Sequence, residues 1–274
     1  MGDFVWAGMD YLGEVGVGSW EYRDYAPVFD GSCGWVSAGS GRIDLTGKHL
    51  GEAYYTRVAL EKEAGPFLAV CPVNHTGERH SPSAWKMTNA MDSWSWRGCE
   101  GRRARIEVYA RAAYVELYLN GKKIGTQKLK KTCRARFSCH YENGTLEAAA
   151  YDEEGKETGR CVLVTAGPDT RLSIKPEQAA VRAGHLSYLR LCYTDPDGIV
   201  KPLERGILKA EVTGGTLLGL GSGCPYYEQS YLGSEADTYY GEALAIVKAG
   251  AAGQMKVRVT DGRYSGTADV IIYD

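Results

Sequence analysis

The sequence is short of several things. Its 274 residues hold 4 Phe against 19 Tyr, with only 9 Pro and 5 His. No apolar run approaches the roughly 18 residues that a membrane span needs, so no membrane partner is expected. The start, Met1-Gly2-Asp3-Phe4, has no basic stretch and no small-residue cleavage site, so no signal peptide is expected and a cytoplasmic location follows. Neither sign of charge dominates: 32 Lys plus Arg against 34 Asp plus Glu leave a net charge of -2. That balance argues against a nucleic-acid surface. The 8 cysteines include no Cys-x-x-Cys, so neither a thioredoxin motif nor a zinc ribbon has support. Scattered as they are, they read as small buried residues of a cytosolic protein. Gly-Lys-Ser/Thr is missing too. Gly219-Leu220-Gly221-Ser222-Gly223 leads into Pro225-Tyr226-Tyr227 rather than a helix, so it reads as glycines in the bends of a sandwich, not as a phosphate loop.

What is present is glycine, 35 residues of it, against an average of roughly 7%. Glycine with Tyr-rich, β-branched segments predicts many short strands joined by tight turns. Period-two alternation runs through Arg105–Ala110, Tyr114–Leu119, Arg134–Tyr141 and Thr145–Tyr151. Asn120-Gly121 and Asn143-Gly144 supply hairpin turns between such runs. With Val162–Ala166 as a closing strand, about seven strands from Phe67 predict a β-sandwich. A second set, Arg171–Ile174, Leu186–Thr194, Ile207–Val212, Glu242–Lys248, Met255–Thr260 and Thr267–Tyr273, predicts another of similar size. The first 66 residues differ. Asp3–Gly8 predicts a short buried strand, Met9–Gly41 a long Gly- and aromatic-rich loop, and Lys48–Leu60 a helix, with apolar residues at 50, 54, 58 and at 55, 59. One strand and one helix cannot bury themselves, so this segment must lean on something else.

Three clusters invite a chemical reading. Cys71, His75 and His80 match no compact zinc spacing and predict a solvated loop. Arg102-Arg103, Lys122-Lys123 and Lys128–Lys131 fall at strand ends, where charge keeps edges from pairing. Phe4, Trp6, Asp10, Tyr11, Glu14, Trp20, Tyr22, Tyr25, Phe29 and Trp35 crowd together. Aromatic faces with nearby carboxylates suit sugar rings, but they equally suit an interdomain packing surface. On composition alone the two readings stand level.

The residues also carry a family resemblance. Phe4-Val5-Trp6-Ala7-Gly8-Met9-Asp10-Tyr11-Leu12-Gly13-Glu14 resembles the eighth-strand motif of family 2 glycoside hydrolases, the β-galactosidase and β-glucuronidase group. Gly41-Arg42-Ile43-Asp44-Leu45-Thr46-Gly47 and Ala53-Tyr54-Tyr55-Thr56-Arg57 resemble the lead-in to the last barrel helix. Ser93-Trp94-Ser95-Trp96-Arg97-Gly98-Cys99-Glu100-Gly101 is similar to the start of the immunoglobulin-like domain after the barrel. Val115–Gly125 and Tyr141–Ala148 are similar to that domain's central hairpin and its Tyr-x-x-Gly-x-Leu-x-Ala turn. Ser93 stands where many relatives have His, which puts any role of that His in doubt here.

The resemblance implies a mainly β chain: residues 1–66 as the end of a (β/α)₈ barrel, 67–168 as one immunoglobulin-like sandwich and 169–274 as a second. It implies the C-terminal, non-catalytic part of a retaining hydrolase of terminal β-galactosides, with Trp6, Asp10 and Tyr11 binding substrate in the intact enzyme. The family's Asn-Glu acid/base pair is absent and Ser234-Glu235 reads as a surface loop, so no catalytic residue is assigned. Neither a cofactor nor a metal is expected, although some relatives use Mg²⁺ or Na⁺. The implied partners are the parent's upstream barrel and N-terminal domains and a carbohydrate, and a homo-oligomer is compatible with the chain. The competing expectation is a self-contained sandwich module that binds glycans or proteins without chemistry.

Overall fold

The computed structural model describes residues 5–14, 16–20, 22, 37–80, 85–129, 132–227 and 229–274. The chain divides into two compact units, Met1–Thr165 and Ala166–Asp274. Both are built mainly of β-strands. No helix among the described residues is long and apolar enough to cross a membrane.

The first unit starts with a two-residue ladder, β1 (Tyr11–Leu12) on β2 (Ser37–Ala38), and the helix α1 (Gly51–Ala59). Seven strands follow: β3 (Phe67–Val70), β4 (Arg103–Tyr109), β5 (Tyr114–Leu119), β6 (Lys122–Lys128), β7 (Arg134–His140), β8 (Thr145–Tyr151) and β9 (Glu157–Val164). They form two antiparallel sheets, β3-β4-β7 and β6-β5-β8-β9. The alternation in the sequence is the reason. Ile106 and Val108 on β4, Val115 and Leu117 on β5, and Leu146 and Ala148 on β8 are all buried, as period two requires of one sheet face. Asn120 and Gly121 both have positive φ, 51° and 76°, the mirror-image turn that suits the twist of a hairpin.

A Tyr side chain pins the junction into the sandwich. The Tyr141 hydroxyl accepts the Trp96 N–H at 2.9 Å and bonds Asn143 Oδ1 at 3.0 Å. Trp94, edge-on to Tyr141, donates its ring N–H to Glu142 O at 3.1 Å. All three rings are fully buried. The helix finds its support on this sandwich: Val58 packs with Ala69, Cys71, Ala90 and Tyr109, flanked by Tyr54, Tyr55 and Phe67.

The second unit holds β10 (Arg171–Pro176), β11 (Ala180–Arg182), β12 (Leu186–Thr194), β13 (Ile207–Thr213), β14 (Gly215–Gly221), β15 (Glu235–Asp237), β16 (Glu242–Ala249), β17 (Gly253–Thr260) and β18 (Ser265–Tyr273). Its sheets run β10-β12-β16-β14 and β11-β18-β17-β13-β15. Leu189, Leu191 and Val247 of the first sheet and Val257, Val259 and Val270 of the second are buried.

Four local expectations change. Residues 5–8 form no strand, and Val5 and Trp6 are 48% and 59% exposed rather than buried. The glycine run at 215–221 is a strand, not a set of bends. A Cβ on Gly215 would come within 2.8 Å of Lys248 O, and one on Gly221 would meet the Tyr231 ring, so glycine permits this pairing rather than breaking it. Glu235 lies in β15 and pairs with Lys209 at 2.8 Å, so it is an edge-strand residue rather than a loop residue. β9 starts at Glu157, five residues before the apolar run suggests, because its first half is exposed on the sheet edge.

Candidate functional site

The segment carrying the strand-eight motif is held by close backbone packing. Met9 bridges to Ile43, Asp10 N–H donates to Ile43 O at 2.8 Å, and Gly41 sits against Met9 and Asp10. A Cβ at 41 would overlap the backbone of both, so only glycine lets these two stretches meet. The Trp6–Ala7 peptide is cis. Trp6 projects from this platform and donates its ring N–H to the Tyr11 hydroxyl at 2.8 Å, with the two rings edge to face at 6.2 Å. The Tyr11 hydroxyl in turn donates to the Glu14 carboxylate, which raises the Tyr11 pKa. The outcome is an exposed indole face with a hydroxyl and a carboxylate at its rim, which can stack on a ring and bond its hydroxyls.

Asp10 behaves differently. It is 7% exposed, and its Oδ1 accepts the Gly41 N–H at 2.7 Å. Burial pushes its pKa up to about 6, with Lys86 and the Gly41 N–H pulling the other way. Trp6 and Tyr11 thus share one surface while Asp10 lies walled in beside them.

Beneath the platform, Glu52 at the start of α1 is fully buried and binds Arg42 and the N–H groups of Met87 and Thr88. Burial raises its pKa. Lys86 Nζ donates to Gly39 O at 2.9 Å. These three charged side chains lock residues 39–52 to residues 85–88, and nothing in their spacing along the chain signals it. Asp44 holds its own turn through the N–H groups of Thr46 and Lys48, at 2.8 and 2.9 Å.

The aromatic cluster read from the sequence separates into two groups. Trp6 and Tyr11 are one. The other pairs Trp20 with His80, stacked at 4.0 Å, and Tyr22 with His75, stacked at 3.9 Å. Tyr22 and His75 are buried, and Asn89 Nδ2 donates to the Tyr22 hydroxyl at 2.6 Å. The solvated loop expected around His75 and His80 is therefore a packing element, with the imidazoles lying flat on aromatic rings. Phe4, Tyr25, Phe29 and Trp35 lie outside the described residues. Among the described residues no group of three or more His, Cys, Asp or Glu could hold a metal ion.

Residues 171–268 match the family model described as glycoside hydrolase family 2 C-terminal domain 5. The second unit is a family 2 C-terminal domain. Residues 101–159 match a domain of unknown function, DUF4982. No curated protein matches the chain. Among solved structures, a glycosyl hydrolase family 2 member from Bacteroides cellulosilyticus is similar at 24% identity and a TM-score of 0.87, over 99% of this chain and 36% of that one. A β-glycosidase from Bacteroides vulgatus is similar at 18% identity and a TM-score of 0.73, over 96% of this chain and 30% of that one. A family 2 β-glucuronidase is similar at 16% identity and a TM-score of 0.69, over 88% and 24%. The chain thus has the fold of the C-terminal portion of family 2 enzymes and spans about a third or less of their length.

Proposed function

We propose that this family 2 portion is the non-catalytic accessory part of a retaining glycoside hydrolase that acts on terminal β-galactosides. The observation that carries the reading is the fold likeness over 99% of the chain to about a third of a family 2 enzyme. In this reading residues 1–66 are the last strand and helix of a barrel whose other units and N-terminal domains lie upstream. Trp6 supplies the stacking face of a sugar subsite, Tyr11 its polar rim, and Asp10 stands behind them. Retaining hydrolysis takes two carboxyl groups about 5–5.5 Å apart and no cofactor. Both would come from the upstream barrel.

Charge around Trp6 favours a neutral sugar over a uronate. Glu14 borders the indole through Tyr11, while the nearby cations are engaged, Arg42 by Glu52 and Lys86 by Gly39 O. A second carboxylate brought to that rim would meet Glu14 at close range. The test is saturation-transfer NMR of the chain with methyl β-D-galactoside and methyl β-D-glucuronide, comparing the wild type with Trp6→Ala. The signal lost on removing Trp6 should be larger for the galactoside, and binding should be weak, because one stacked face leaves most hydroxyls unsatisfied. A Trp6-dependent signal that favours the glucuronide would overturn the substrate assignment.

A further inference from the structure

A cleft of about 680 Å³ opens in the first unit alongside β7, and neither Trp6 nor Tyr11 is among its lining residues. Strand pairing explains its chemistry. Arg105 pairs with Ser138 and Glu107 with Arg136 across β4 and β7, and Arg103 is two residues from Arg105. Directly paired residues, and residues two apart on one strand, share a sheet face. One face therefore carries Arg103, Arg105, Glu107, Arg134 and Arg136. The single carboxylate is already engaged: Glu107 accepts from Tyr109 and Arg136 and lies 3.9 Å from Arg134. Among the described residues, the Arg103 guanidinium bonds only the neutral Ser138 hydroxyl, at 3.2 Å. Among the described residues, no side chain forms a hydrogen bond or ion pair with the Arg105 guanidinium. Arg103, Arg105 and Arg136 line the cleft against the single carboxylate of Glu107, a local excess of positive charge in a chain whose net charge is -2.

The rest of the cleft is not charged. On the arginine side Trp20, Cys71 and Met87 line it beside the hydroxyls of Thr88 and Ser138. Trp20 carries a buried ring N–H with no acceptor among the described residues. Adjacent same-face residues of a strand stand about 6.5–7 Å apart, close enough for two guanidinium forks to converge on one oxyanion. Apolar and aromatic walls with hydroxyls suit the body of a pyranose, and the volume is in the range of small-molecule sites.

We infer that this cleft binds an anionic saccharide, a sugar ring bearing a carboxylate or a sulfate, with Arg103 and Arg105 gripping the oxyanion. It is a binding site separate from the Trp6 face and does not depend on the reading given for that face.

Isothermal titration of the full chain with methyl β-D-glucuronide, galactose 6-sulfate, methyl β-D-galactoside and inorganic sulfate tests this. At least one of the two charged sugars should bind at least about tenfold more tightly than the neutral galactoside, the discrimination expected of charge-assisted hydrogen bonds. That preference should shrink as salt is raised. Arg105→Ala and Arg105→Gln should each abolish it, while Trp6→Ala should leave the affinity for the charged sugars intact. Arg105 is exposed and forms no hydrogen bond or ion pair with a described side chain, so both variants should keep the wild-type circular dichroism and unfolding midpoint. Charged-sugar affinity that survives in both Arg105 variants, or that disappears in Trp6→Ala, would overturn the assignment. Inorganic sulfate binding as tightly as galactose 6-sulfate would overturn its saccharide part.

Discussion

Asp10 shows how a buried carboxyl can weaken the fold that holds it. Its carboxyl is buried beside Gly41 and its pKa is raised from 3.8 to about 6. A raised folded-state pKa means the folded protein prefers the protonated acid, so its favourable contribution is complete below about pH 4 and is lost as pH climbs through 6. Above that, keeping a carboxylate here costs up to about 3 kcal/mol, from roughly two pKa units at 1.36 kcal/mol each. Asp10→Asn keeps an oxygen for the Gly41 N–H and removes the charge. Urea unfolding at pH 8 should therefore show the variant more stable than the wild type, with the gain gone at pH 4. A difference that does not change with pH would contradict the cause given for the shift.

At the scale of elements, the strands with one buried face were legible because alternation and burial have the same period. β4, β5, β7 and β8 are of this kind, and so is α1 with its apolar residues three and four apart. β14 was not legible, since a glycine-rich strand has no side-chain pattern to read and its pairing depends on close backbone approach. The segment at Trp6 misled for the opposite reason: its run of apolar residues reads as a buried strand, yet Val5 and Trp6 stand exposed and no strand forms. The Arg42, Glu52 and Lys86 contacts were hidden as well, because they join residues 10 to 47 positions apart. Gly41 tests how far this segment depends on backbone packing. Gly41→Ala forces a Cβ into Met9 and Asp10, and overpacking of that kind costs about 1–3 kcal/mol. Limited proteolysis of the variant should cut between residues 5 and 50 faster than the wild type, with the second unit unchanged. Identical digestion would show that the platform tolerates the side chain.

For the whole molecule, two β-sandwich units and the helix before them could be read in outline from periodicity, while the strand expected at the start does not form and the family had to come from motifs. Trp94, Trp96 and Tyr141 illustrate the limit. Their spacing resembles a family signature, but only the structure shows one hydroxyl joining the Trp96 N–H to Asn143. The site divides in the same way: Trp6 and Tyr11 stand together as a motif suggests, and the arginine cleft emerges from strand register alone. The central claim is that this chain supplies a sugar-facing surface without the two carboxylates of hydrolysis. The measurement that tests it most directly is an assay of the repurified chain on aryl β-galactoside and aryl β-glucuronide, with Glu14→Gln as the control for contaminating enzyme. The account predicts no turnover above the level of that variant. Turnover that persists through repurification and is lost in Glu14→Gln would make Glu14 catalytic and contradict it.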